Sequence, residues 1–336
     1  MHGESITLSR FRYWKRIAQA YVFGAKSSNV SFWHTPLRLN RLGDKDVDYL
    51  RAYPQNYEDK IGRITTTDKD GVIRLDYKGD LGLQYNPNAI AQLALGYYDK
   101  ILAGEDCKTE FLTQAEYFLK HKRIVKDDVL LWEYNFPFEN REYQKAPWRS
   151  ALAQGQGISV CLRAYELCRD ERYLEAAKMA FNSFKYMARE HEGGVLDDSC
   201  GYTWLEEYIF SQPNHVLNGF IWALWGVRDY AVYFNDKYAW ELWDSCLKTL
   251  EANLHLYDIG FWTSYDLASL YGNGYSTMPT SIYYQNLHCV QMEAMYRLTQ
   301  KLVFKHYSEK WASQLSNPFN KLRSQVWKTY FKLVRF

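Results

Sequence analysis

Apolar positions along this chain fall into two alternating patterns. Some segments are apolar nearly all round and studded with small residues, as in 89–102 and 151–168. Helices of that kind are covered on both sides. Other segments carry the i, i+3/i+4 spacing of a one-sided surface helix, as in Tyr173, Leu174, Ala177, Met179, Ala180 and Phe184. This spacing predicts outer helices over 109–121, 173–190 and 237–255. The inner segments open near Asn88-Ala89-Ile90-Ala91-Gln92, Ser150-Ala151-Leu152-Ala153-Gln154, Val216-Leu217-Asn218-Gly219-Phe220 and Gln285-Asn286-Leu287-His288. Their interval of roughly 65 residues marks repeated supersecondary units.

Three aromatic and β-branched stretches, 129–138, 194–208 and 260–271, are punctuated by Gly, Pro or Asn and read as short β elements. Each ends just before an inner helix. Hairpins packed side by side as a curved toroid bring these connections to one end, where function tends to collect. The expected fold is therefore mainly α: an incomplete (α/α) toroid of helical hairpins, with short β-hairpins at the active-site end. Residues 1–80 read as an N-terminal arm or cap with some β structure, including a helix over 11–23. Residues 81–336 form the toroid. The tail 321–336 interleaves Lys and Arg with Trp327, Tyr330, Phe331 and Phe336. It suits either an anionic membrane surface or a docked terminal helix.

With 336 residues and 47% hydrophobic content, the chain can bury a large core. The 29 Tyr and 12 Trp exceed what packing alone asks for, and aromatic faces stack on the C–H faces of pyranose rings. A net charge of +2 leaves no nucleic-acid footprint. Six cysteines without a CxxC spacing suit reduced thiols rather than a disulfide framework. No apolar run reaches the ~20 residues of a membrane span, and the start lacks a signal-peptide pattern. A cytoplasmic location, with the tail as a route to the membrane surface, is the expectation.

Candidate chemistry gathers before the inner helices. The richest stretch is Trp204-Leu205-Glu206-Glu207-Tyr208, followed by His215 and Asn218. Other clusters are Gln84-Tyr85-Asn86-Pro87-Asn88, then Trp148-Arg149 with Gln154 and Gln156, then Tyr265-Asp266 with Tyr283-Tyr284 and His288. No HExxH, GxGxxG or Ser-His-Asp pattern occurs, and the histidines lack ligand spacing, so neither metal nor cofactor is expected. On a regular strand Glu207 and Tyr208 point to opposite faces. Both reach one site only if the chain bends ahead of Pro213.

Four ordered stretches over roughly 80–315 resemble the catalytic domain of the glucuronyl C5-epimerases that act on heparosan-type glycans. They are Tyr85-Asn86-Pro87 through Gln92, Ala153-Gln154-Gly155-Gln156 through Arg163-Ala164-Tyr165, Glu206-Glu207-Tyr208 through Asn218-Gly219-Phe220, and Leu256-Tyr257-Asp258 through Tyr265-Asp266-Leu267, on to Tyr284 and His288. The resemblance implies catalysis by Glu207, Tyr208 and Tyr284, converting D-glucuronosyl to L-iduronosyl units within an acidic polysaccharide. Substrate contacts are expected from Tyr85, Asn86, Trp148, Arg149, Gln154, Gln156, Arg163, Asn218 and Tyr265. Animal members are dimers, which makes a homodimer a candidate assembly. Where relatives carry Tyr-Asp-Leu-Arg, this chain has Tyr265-Asp266-Leu267-Ala268, and Arg149 or Arg163 is the candidate to replace that arginine. Inverting C5 requires removing a proton α to a carboxylate on one face and returning one on the other, and a phenol acts as a base only beside a cation or hydrogen-bond donors. Alternatives are a polysaccharide lyase on a similar fold and a non-catalytic glycan-binding protein. Several residues also have a plain structural reading: Gln154 and Gln156 as interhelix hydrogen bonders, Arg163 in an ion pair, His288 as a core histidine, Glu206 as an orienting or surface acid, and Tyr85 and Tyr265 as packing residues.

Overall fold

The computed structural model describes residues 28–40, 52–272 and 274–334; the helix expected over 11–23 lies outside them. The fold is mainly helical. Among the described residues four inner helices, Pro87–Leu102, Ala151–Cys168, Leu217–Phe234 and Ile282–Thr299, are each followed by an outer helix. The outer helices are Lys108–Lys120, Glu171–Phe181, Lys237–Tyr257 and Leu302–Ser316. Three inner helices begin at a side-chain cap, with Asn86, Ser150 and Ser281 accepting from the amides of Ala89, Leu152 and Tyr284. Such caps satisfy amides that the first turn leaves without partners. Three inner helices end on a left-handed residue, Arg169, Asn235 or Gln300, which turns the chain back into its outer partner.

The small residues of the inner helices have a packing reason. A side chain at Gly155 would strike the backbone of Ala223, and one at Gly226 would strike the backbone of Gly155. The second and third inner helices therefore touch backbone to backbone. Between them lies a buried ion pair, Arg163 to Asp229 at 2.6 Å. At Gly96 the same device admits the Tyr57 carbonyl, so the segment before the first inner helix sits directly on it. Phe32, Tyr53, Tyr57, Ile73 and Leu75 share one core with the helices.

Two of the expected β stretches pair as strands. Arg123–Val125 pairs with Val129–Leu131, and Leu196–Asp197 with Trp204–Leu205, both antiparallel. A further two-residue ladder joins Phe138–Glu139 to Tyr143–Gln144. The third stretch, 260–271, differs. It forms isolated bridges, Asp258 to Thr263 and Ser264 to Pro279, and a 3-10 turn over Ala268–Leu270. Its amides pair mostly outside the stretch: Gln285 Oε1 accepts from Thr263 N, Tyr257 O from Ser264 N, Met278 O from Tyr265 N and Asn214 O from Leu267 N. The outer helix expected over 173–190 stops at Phe181 and passes into a 3-10 turn, Asn182–Lys185. Beyond it, Ala188 N bonds Leu196 O, and Arg149 binds the carbonyls of Ala188, His191 and Gly194. Those backbone groups are thereby committed to a loop.

The tail forms a helix, Pro318–Val334. Ser324, Lys328 and Phe331 are buried against the body of the protein, while Phe319, Leu322, Val326 and Tyr330 are exposed. Among the described residues no helix is long and apolar enough to cross a membrane.

Candidate functional site

The ladder carrying the acidic stretch ends at Leu205. Its last ties are Glu206 N to Val195 O at 3.0 Å and Ala151 N to Glu206 O at 2.9 Å, which fix it to the mouth of the second inner helix. The chain then bends, so Glu207 and Tyr208 leave the strand alternation and line the same cleft, of about 180 Å³. Tyr284, in the first turn of the fourth inner helix, lines it too. Amides from two other inner helices, Asn88, Gln92 and Asn218, join them. The aromatic wall is Tyr134, Phe136, Phe138 and Trp148; Trp148 stacks on Tyr134 at 3.8 Å and donates Nε1–H to Phe136 O at 2.9 Å.

Glu207 is only 6% exposed. Burial pushes its carboxyl up to about 8; a Tyr208 hydrogen bond pulls it down, and the charges of Glu206 and Asp266 push it further up. Desolvation is the dominant cause. Gly219 makes the room for it, since a side chain there would collide with the Glu207 carboxyl group. Burial and the neighbouring Glu207 raise the Tyr208 phenol well above its usual range. Tyr265 is raised in the same way, shares a hydrogen bond with Tyr208, and meets Tyr284 edge-on at 5.4 Å. At neutral pH the cleft thus holds neutral phenols and a carboxyl balanced close to its own titration.

Glu206 turns away from the cleft and is fully buried, its Oε1 2.7 Å from His215 Nδ1. His215 stacks on Trp204 at 4.0 Å and meets the Tyr271 hydroxyl through Nε2 at 2.7 Å. Asp197 lies 3.9 Å from that same Nε2 and is already paired with Arg189. Glu206 and Asp197 therefore address opposite nitrogens of one ring. Behind the cleft, Asp197, Glu206 and His215 each offer one ligand atom within 4.8 Å of the others, a buried set of donors that could hold a metal ion.

Of the residues singled out in the sequence, Asn86, Trp148, Glu207, Tyr208, Asn218 and Tyr284 line the cleft. Tyr265 stands behind them, buried. Tyr85 turns outward, bonding Asp68 Oδ2 at 2.5 Å and packing on Tyr117 and His121. Gln154 accepts from Trp132 N at 2.9 Å and donates to Leu130 O at 2.7 Å, clipping a strand to the second inner helix. Gln156 donates to the hydroxyls of Tyr53 and Tyr57. Neither candidate to replace the missing arginine reaches the cleft: Arg149 is spent on carbonyls and Arg163 on Asp229. Ala268 is buried, and its neighbour Asp266 is held by Arg141 at 2.9 and 2.5 Å. His288 bonds Thr263 Oγ1 at 3.1 Å, and burial keeps it neutral by pushing its pKa down to about 3.

The family profile described as D-glucuronyl C5-epimerase C-terminus matches residues 126–313, more than half of the chain. The chain belongs to that family. An uncharacterized protein of Methanocaldococcus jannaschii is 33% identical over 186 residues, covering 54% of this chain and 57% of its own. The D-glucuronyl C5-epimerase of Caenorhabditis elegans is 39% identical over 132 residues, covering 36% of this chain and 21% of its own. The chain thus aligns with little more than half of the first of these relatives and about a fifth of the second. Within the epimerase-family segment lie Glu207, Tyr208, Asn218, Tyr265 and Tyr284. Outside it lie Trp33, Asn86, Asn88 and Gln92, which complete the cleft, and the whole tail helix.

Several other lining residues carry a local signal of their own. Tyr134, Phe136 and Phe138 alternate with Asn135 and Pro137, the period of a one-sided extended segment. Asn88 and Gln92 are four apart on the first inner helix, hence on one face. Arg141 has no such local signal, because its partner Asp266 is distant in the chain.

Proposed function

We propose that this protein is a cofactor-independent epimerase that inverts C5 of D-glucuronosyl residues to L-iduronosyl within an acidic polysaccharide, working at the mouth of an incomplete (α/α) toroid. The observation that carries the reading is the convergence of Glu207 and Tyr284, from separate elements, on one aromatic-walled cleft. In this reading Glu207 is the base. A carboxyl balanced near 8 has enough of its ionised form at neutral pH and far more basicity than an ordinary carboxylate. It takes the C5 proton, the electron pair passes into the uronate carboxylate as an enolate-like intermediate, and Tyr284 returns a proton to the other face. Exchange with solvent then resets both groups. Tyr208 hydrogen-bonds Glu207, and the amides of Asn88, Gln92 and Asn218 orient the sugar, while Trp148 and Tyr134 offer ring faces for stacking.

The test is incubation of glucuronate-containing polymers in D2O. Deuterium at C5, with chain length unchanged and no unsaturated ends, is the expected result. Unsaturated ends and shortened chains would instead show a lyase. Lack of exchange with every such polymer would refute the epimerase reading. Tyr284→Phe should lower exchange by at least about a hundredfold while leaving polymer binding intact.

A further inference from the structure

The family match ends at residue 313, and the tail helix Pro318–Val334 follows it. That helix brings a lysine into the protein interior. Lys328 is 8% exposed; its Nζ donates to Pro279 O at 2.8 Å and lies 5.7 Å from the centre of the Tyr265 ring. An ammonium group is costly to bury without a counter-charge. The charged and titratable groups around it are Lys332 on its own helix, Asp266 and Arg141 from two loops, and His288 on the fourth inner helix. Asp266 is held by both ends of the Arg141 guanidinium, so its charge is already largely met. Burial pushes Lys328 down to about 7, Lys332 adds to that, and Asp266 opposes it.

The contacts of Lys328 lead toward the cleft. Pro279 is bridged to Ser264, Tyr265 N bonds Met278 O at 2.8 Å, and Thr280 N bonds Thr263 O at 2.9 Å. Lys328 therefore clips the segment that holds Tyr265. Tyr265 shares a hydrogen bond with Tyr208, and Tyr208 with Glu207. Trp327 and Phe331, on either side of Lys328, pack into the same cluster as Tyr208, Tyr265 and Tyr284. Among the described residues, none of the side chains lining the cleft is a lysine or arginine. Yet an enolate-like intermediate on a uronate places extra negative charge there.

We propose that Lys328 is a positioning residue for proton transfer. It locks Tyr265, and through it Tyr208, against Glu207, and it supplies positive charge to the cleft from behind the phenols. This rests on the epimerase reading above. The tail helix is then an integral part of the site.

The test compares Lys328→Met and Lys328→Arg with the wild-type full chain, by C5 deuterium exchange, thermal melting and pH–rate profiles. The methionine variant should lose at least about tenfold in kcat with KM within about twofold. The arginine variant should keep most of the rate. It should also lose the alkaline limb that deprotonation of Lys328 imposes on the wild-type profile, because a guanidinium stays charged. An active wild type with unchanged kcat in the methionine variant would overturn this inference alone. So would equal losses in both variants accompanied by equal falls in melting temperature. Absence of exchange in the wild type would overturn the epimerase reading and this inference together.

Discussion

Replacing Glu207 by glutamine should make the protein more stable at alkaline pH. The native carboxyl titrates near 8, against an ordinary value of 4.5. Between those values the folded protein holds a proton that the unfolded chain has released. Stability from this group is therefore fully present below about pH 4.5 and is lost as pH rises through about 8. The separation is about 3.5 pH units, and at ~1.4 kcal/mol per unit it amounts to as much as about 5 kcal/mol. An amide of nearly the same shape carries no such dependence. Urea unfolding at about pH 5, 7 and 9 checks it: the two proteins should differ little at pH 5, and Glu207→Gln should gain several kcal/mol relative to wild type by pH 9. Lys60, Lys328 and Asp99 also titrate near 7 in the native state, but they are common to both proteins and cancel in the difference. Parallel pH–stability curves would refute the reasoning, because Glu207 would then be an ordinary ionised carboxylate. Glu207→Gln should at the same time abolish C5 exchange, so that one substitution raises stability and removes activity.

Asp229→Ala leaves the Arg163 guanidinium buried without its 2.6 Å partner; it should cost about 3–5 kcal/mol by urea denaturation, with KM unchanged in the folded fraction if Arg163 is structural. Gly219→Ala drives a methyl into the Glu207 carboxyl, and should cut exchange by at least about tenfold for about 1–3 kcal/mol of stability, read from kcat and urea midpoints. For the tail, we propose contact with an anionic membrane surface: Phe319, Leu322, Val326 and Tyr330 face outward, and no acid follows Glu309 in the sequence. Co-sedimentation with anionic but not zwitterionic vesicles is expected, reduced in the triple variant Phe319→Ser, Leu322→Ser, Val326→Ser. Concentration-dependent self-association abolished by that triple variant, without vesicle binding, would assign the face to a second copy instead.

The helical repeat was legible because it is written in local periodicity, which sets which face of each helix is covered. The site was legible only where local geometry decided it. Arg163 illustrates the boundary. Its helix begins at Ala151, and at ~1.5 Å per residue Arg163 sits about 18 Å below the mouth. That depth, which follows from helical rise and position in the chain, favours the ion pair with Asp229 over a substrate contact. Gln154 and Gln156, nearer the mouth, have no such warning. Whether they meet sugar or protein depends on the Leu130 carbonyl and on the Tyr53 and Tyr57 hydroxyls, which folding brings in from elsewhere.

Glu207 and Tyr208 show the opposite case. Strict strand alternation would separate them, but the ladder stops at Leu205, and a bend that periodicity does not encode brings both to the cleft. Lys328 is further still from local reach. Read along the chain it is one more basic residue on an amphipathic tail, a pattern that suits a membrane surface. The fold shows that such a tail has two faces. The face carrying Lys328 and Phe331 is committed to the tyrosine cluster, which leaves the Phe319–Tyr330 side for any surface outside. A buried lysine either has its charge met or gives up its proton, and burial brings Lys328 down to about 7, where both forms are present. With Asp266 held by Arg141, the phenols of the site are where that charge acts.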